Sequence, residues 1–154
     1  LYAVKEFILP VLEDFKPDLV INSAGQDNHY SDPLTNMRVS AQGYARMNDL
    51  LDPDLAILQG GYSIETALPY VNVGIILAMA GLDYTCVREP DYKAEKLKQD
   101  RAISLEIQRT VEWLQKVWEE RDRIDLEKIC GKLDKFYRRE KDIYYDADGL
   151  SETQ

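Results

Sequence analysis

Apolar side chains over residues 2–15 fall at Val4, Phe7, Ile8, Val11, Leu12 and Phe15, the i, i+3, i+4, i+7 stripe of an amphipathic helix. Pro10 lies inside the stripe, so the helix is kinked there or begins near it. Lys16-Pro17-Asp18 ends it. The apolar run Leu19-Val20-Ile21 stops at Asn22-Ser23-Ala24-Gly25 and predicts a buried parallel strand over 18–23. Residues 26–39 form a polar loop, long for a compact domain, and long structureless loops are often functional. Ser40 reads as the N-cap of a helix that runs to about Leu51, with Tyr44, Met47, Leu50 and Leu51 on its apolar face. Asp52-Pro53-Asp54 breaks it. Residues 55–58 are a second apolar strand, ended by Gly60-Gly61. Ser63 reads as the N-cap of a further helix over about 64–80, with Glu65 in its first turn. That helix is apolar on nearly all sides, which predicts burial in a larger body.

Helix, strand, helix, strand, helix is the alternation of an α/β protein with a parallel sheet and helices on its faces. Two strands do not bury themselves. The remaining strands are therefore expected elsewhere in a longer parent, and a chain that opens at Leu1 inside a helical pattern points the same way. From Lys93 the composition changes. Residues 93–120 and 124–140 are charge-rich with helical periodicity, a pair of amphipathic helices expected to turn at Arg121-Asp122-Arg123. Residues 142–154 read as an acidic tail. The expected organisation is one α/β portion over 1–92 and a helical extension over 93–154. The extension either packs on the same domain or serves as a partner-binding or homo-oligomer element through residues 93–140.

The 154 residues carry a net charge of −9, which argues against a nucleic-acid partner. The charge is uneven: residues 1–92 hold 5 Lys/Arg against 13 Asp/Glu, and residues 93–154 hold 14 against 15. The acidic field thus belongs to the first portion, where it suits a cationic substrate or partner, or only solubility. No apolar run reaches the length of a membrane span, since Glu65, Pro69 and Asn72 interrupt the nearest approach to one. Cys86 and Cys130 are too few and too far apart for a disulfide framework or a thiolate metal site. The expected compartment is the cytoplasm.

In open parallel α/β sheets, ligands bind outside the carboxyl ends of the strands. Asp27 follows the first strand and Tyr62 the second, so these two are candidates to meet at one site. On the residues alone, Asp27 is a ligand-binding carboxylate or a loop carboxylate that caps backbone amides. His29, the one histidine of the chain, is a metal ligand or a loop hydrogen-bonder. Tyr62, after Gly60-Gly61, is an oxyanion donor or a packing residue.

The segment from Pro17 to Gly25, with Asp27, His29 and Asp32-Pro33-Leu34 after it, closely resembles the Ser-Ala-Gly-Phe-Asp-Ala-His…Asp-Pro-Leu stretch of the histone deacetylase superfamily. That superfamily includes acetoin-utilisation proteins and acetylpolyamine amidohydrolases. Residues 39–44 are similar to its Thr-Pro-Glu-Gly-Phe/Tyr helix start, and residues 58–62 to its Leu-Glu-Gly-Gly-Tyr strand end. The resemblance covers about residues 4–82, as the C-terminal part of the family's domain.

The resemblance implies an arginase/deacetylase-like three-layer α/β fold, of which this chain holds a part. It implies a zinc hydrolase that removes acetyl groups from N-acetyl-lysine or acetylated polyamines. Asp27 would be one of three zinc ligands and Tyr62 the donor to the amide oxygen. Gly25, Gln26, Gly60 and Gly61 would border the substrate pocket, and His29 and Asp32 would order the loop. The family's other two ligands, an Asp-x-His pair, and its His-His general base are absent from these residues and are expected upstream. Gln26 stands where the family usually has an apolar residue, and Gln59 where it has Glu. The competing reading is a non-catalytic binding or scaffold module, or an inactive fragment, acting through its C-terminal helices.

Overall fold

A computed structural model of the chain describes residues 1–90, Tyr92 and residues 94–121. The chain divides into two compact units, Leu1–Gln115 and Lys116–Gln154, further along than the change of composition at Lys93. The expected helix over 124–140 and the acidic tail lie outside the described residues.

The first unit opens with a π-helical turn, Val4–Ile8, that runs into helix α1, Leu9–Phe15. Pro10 explains the wide turn. It has no N–H to give to the carbonyl four residues back, and its ring crowds that carbonyl. The carbonyl in question, that of Glu6, accepts instead from the side-chain amide of Gln115 at 2.7 Å. Helix α1 ends at Lys16 in the left-handed region, with φ 50°.

Strand β1 is Ile21–Gly25, shifted towards the C-terminus from the expected 18–23. The shift follows from its partner. Strand β2, Leu55–Gln59, pairs with it in parallel, Ile21 opposite Leu55 and Gly25 opposite Gln59. Val20 lies just before the ladder, where its N–H donates to the Asp54 carboxylate at 2.8 Å and its carbonyl accepts from Asp54 N–H. Between the strands runs helix α2, Ala41–Leu51, so the first unit is built around a β–α–β crossover. Ser40 caps α2 as its type predicts, its Oγ accepting from Gly43 N–H at 3.1 Å. Ser40→Ala should lower stability by about 1 kcal/mol, read as a lower denaturant midpoint at unchanged slope. An unchanged midpoint would remove the cap from the account of α2.

Helix α3, Leu68–Met79, starts four residues later than the sequence suggests. Ser63 does not cap it. Its carbonyl instead accepts from Ala67 and Leu68, closing a turn, and Pro69 sits in the first turn of the helix, where its missing donor costs nothing. Gly81 ends α3 in a left-handed conformation, with Leu82 N–H bonded to Leu77 O and Gly81 N–H to Ala78 O. This pair of bonds is a Schellman motif.

Helices α2 and α3 pack closely where small residues meet: a Cβ on Gly74 would lie 3.2 Å from both the Ala41 carbonyl oxygen and the Ala45 Cβ. The core contains Ala24, Ala41, Tyr44, Val71, Ile75 and Val87. One sheet face, through Ala24 and Ala56, packs on this core. On the opposite face Ile21, Leu55 and Ile57 are exposed. Within this chain α3 buries Val71, Gly74, Ile75 and Ala78 and leaves Ile76 63% exposed. The charge-rich segment also begins its long helix late. A short 3-10 turn, Ala94–Leu97, precedes α4, Arg101–Glu119, and Asp100 accepts from Ala102 N–H at the start of α4. No helix among the described residues is long and apolar enough to cross a membrane.

Candidate active site

Parallel pairing brings the carboxyl ends of β1 and β2 side by side. The chain leaves β1 through a single 3-10 turn, Gln26–Asn28, which carries Asp27. It leaves β2 through Gly60 and Gly61, both at positive φ, which lead to Tyr62. A Cβ on Gly60 would stand 3.5 to 3.7 Å from the Asp27 carboxylate, and one on Gly25 would stand 3.3 Å from its Oδ1. Asp27 thus lies in a slot between two glycines, at the place where a parallel sheet presents ligands. The half-buried carboxylate receives no hydrogen bond from the described residues; only its backbone carbonyl is engaged, by Thr35. The amide-capping role open to Asp27 on sequence grounds is filled by Asp32 instead.

Asp32 is buried and accepts from three backbone amides: Leu34 at 3.0 Å on one oxygen, and Tyr62 at 2.7 Å and Ser63 at 3.2 Å on the other. Burial pushes its carboxyl up, but the three N–H donors act against this and the net result is a pKa below the ordinary value. Asp32 therefore ties the loop after β1 to the turn after β2, and fixes the backbone at Tyr62. The Tyr62 side chain itself is 56% exposed, and its phenol has no protein partner among the described residues.

His29 is fully buried, and both its ring nitrogens are engaged by protein groups. Its Nδ1 accepts from Ser31 N–H at 3.2 Å and lies 2.9 Å from Ser31 Oγ, so the ring hydrogen sits on Nε2, 2.9 Å from Glu89 Oε2. Gln26 is also buried, and bonds to Asn72 of α3. It lies beneath Gly61, where a Cβ would come within 2.9 Å of the Gln26 Cβ. Gln26 is thus a floor to the turn. Tyr44 donates to the Gly25 carbonyl at 3.0 Å from below; burial first, then the nearby Asp27, hold its phenol neutral well above the usual range. Gln59 bonds to Ser23 across the exposed sheet face.

Zinc asks for three protein ligands and an open position. No cluster of three or more His, Cys, Asp or Glu side chains exists among the described residues. Asp27 fits as one oxygen ligand and these residues do not complete a set. Sequence reasoning did not single out Glu89, and it placed Tyr44 only on the apolar face of α2. Glu89 lies 60 positions from His29, and nothing local marks it as that residue's partner.

Residues 1–75 match the histone deacetylase domain. A probable deacetylase of Archaeoglobus fulgidus is 47% identical over 113 residues, covering 66% of this chain and 32% of that protein. The histone deacetylase-like amidohydrolase of Pseudomonas aeruginosa is 27% identical over 116 residues, 70% of this chain and 30% of its own length. The polyamine deacetylase HDAC10 of Mus musculus is 34% identical over 71 residues, 43% of this chain and 11% of that protein. The crystal structure of the HDA15 HD domain superposes with a TM-score of 0.50 at 34% identity, over 52% of this chain and 24% of that one. The chain thus spans about a third of the length of the first two relatives. The α/β architecture with its parallel pair of strands is that of the arginase/deacetylase-like fold. Through the segment that carries Asp27 and Tyr62, the chain belongs to the histone deacetylase and acetylpolyamine amidohydrolase superfamily.

Proposed function

We propose that this chain supplies part of the active site of a zinc-dependent deacetylase that hydrolyses an acetylated amine, either N-acetyl-lysine in a protein or an acetylated polyamine. One observation carries the reading: a carboxylate and a phenol, neither with a hydrogen-bond partner for its side chain among the described residues, stand at the carboxyl ends of two adjacent parallel strands. Asp27 would hold zinc together with ligands outside the described residues. Bound there, zinc supplies Lewis acidity towards water and towards the acetyl carbonyl. Tyr62 donates a hydrogen bond to the carbonyl oxygen as negative charge grows on it. Asp32 keeps the Tyr62 backbone from turning away, and Gly60 and Gly61 leave room beside the Asp27 carboxylate. The acidity of residues 1–92 favours an amine substrate that carries further positive charge.

The test is acetate release by the intact protein from an N-acetyl-lysine peptide and from an acetylated polyamine. The expected result is turnover of at least one, abolished by a chelator and restored by zinc. Failure to release acetate from either, with zinc bound, would reject the reading.

A further inference from the structure

The segment after α3 runs back along α2 as a strap. Tyr84 donates to the Asp49 carboxylate near the C-terminal end of α2, and the Gln42 side chain donates to the carbonyls of Thr85 and Val87 at its start. Val87 is buried between these anchors. The strap ends by delivering Glu89, 8% exposed, into the protein. Its Oε2 accepts from two donors at once: Ala41 N–H, the first amide of α2, at 2.7 Å and His29 Nε2–H at 2.9 Å. Its Oε1 is buried and receives no hydrogen bond from the described residues. A buried carboxylate oxygen without a donor carries a desolvation cost, which the two hydrogen bonds on Oε2 offset in part.

What Glu89 holds is the loop between the two site residues. His29 lies two positions after Asp27 and three before Asp32. From its other nitrogen it engages Ser31, whose Oγ reaches Ser63 Oγ at 3.1 Å and Thr66 Oγ1 at 3.0 Å. Asp32 binds the amides of Tyr62 and Ser63. The strap, the loop after β1 and the turn after β2 are therefore joined by one polar network with a single buried histidine at its centre.

We propose that Glu89 is a positioning residue of the Asp27–Tyr62 site: by fixing His29 it fixes the loop that presents Asp27 and, through Ser31 and Asp32, the turn that presents Tyr62. The assignment rests on the reading of Asp27 and Tyr62 given above. Two variants of the intact protein test it. Glu89→Ala removes the acceptor. Glu89→Gln keeps an oxygen able to accept from both Ala41 and His29 and is the conservative rescue. In Glu89→Ala, kcat should fall about tenfold with KM within about twofold. In a Tyr62→Phe background the same change should cost less than in the unaltered protein, because the share of the effect that acts through Tyr62 is already lost. Hydrogen exchange at the Tyr62 and Ser63 amides should quicken about tenfold while the amides of α3 keep their protection. Glu89→Gln should stay near the unaltered protein in both respects. Unchanged exchange at residues 62 and 63, or an undiminished loss of kcat in the Tyr62→Phe background, would overturn the assignment and leave Glu89 as a helix cap only. The exchange measurement needs no turnover. If the unaltered protein hydrolyses no acetylated amine, the proposed function fails while exchange still decides the role of Glu89.

Discussion

Tyr62→Phe should lower kcat for an acetylated amine by about 10²–10³, with KM nearly unchanged and zinc still bound, because a donor aimed at a developing oxyanion is worth about 2.7–4 kcal/mol in the transition state. The geometry makes this a clean substitution. The ring is largely exposed, and the phenol donates to nothing in the described protein, so removing its O–H leaves no buried group unsatisfied. The backbone of Tyr62 is held independently, through its N–H on Asp32, and the turn before it is set by Gly60 at φ 69° and Gly61 at φ 104°. Thermal stability should therefore not move. Turnover within about threefold of the unaltered protein would show that another group stabilises the oxyanion. A lost activity accompanied by a lowered melting temperature would show instead that Tyr62 packs, as the competing reading of an aromatic after a strand holds.

The parts of this molecule that were legible in its sequence are those whose signals are local. Ser40 caps α2 and Asp52-Pro53 ends it, and the structure places both boundaries there. Strand β2 was readable as a short apolar run closed by two glycines. Errors arise where a distant group competes for a local one. Leu19 and Val20 are apolar, but β1 begins after them because its register is set by β2 and because Asp54 takes the amide of Val20. Ser63 has the type of an N-cap, but its amide is drawn to Asp32, 31 positions earlier, and Pro69 sets the start of α3 further on. The same logic divides the site. Asp27 and Tyr62 could be placed at neighbouring strand ends because each follows a strand end marked by glycine. Gln26 looked like a pocket residue from its place beside Asp27, yet the chain turns it inward to Asn72. Glu89 could not be found, because the strap that carries it to His29 is specified by contacts with α2 and by no periodicity of its own.

Asp27→Asn should weaken zinc binding by well over about 100-fold, more than the loss of an outer-shell partner usually costs, and should abolish turnover. The argument turns on what the carboxylate is not doing. A loop aspartate that orders its own backbone accepts from nearby amides, and its loss destabilises the loop. Asp32 has that character, with three amide donors. Asp27 has none among the described residues, although Gly25 and Gly60 leave its oxygens in an open slot. A charged group left without protein donors in such a slot is free to serve a cation, and asparagine keeps its shape while removing its charge. The metal-free intact protein should therefore melt at the same temperature with Asp27 or asparagine at this position, and zinc should raise the melting temperature only of the former, since a ligand bound to the folded state alone stabilises it by mass action. Equal zinc content in the two proteins after dialysis would remove Asp27 from the metal site. A lower melting temperature of the metal-free variant would return it to the role of a loop carboxylate, and with it the case for this end of the sheet as a catalytic centre would rest on Tyr62 alone.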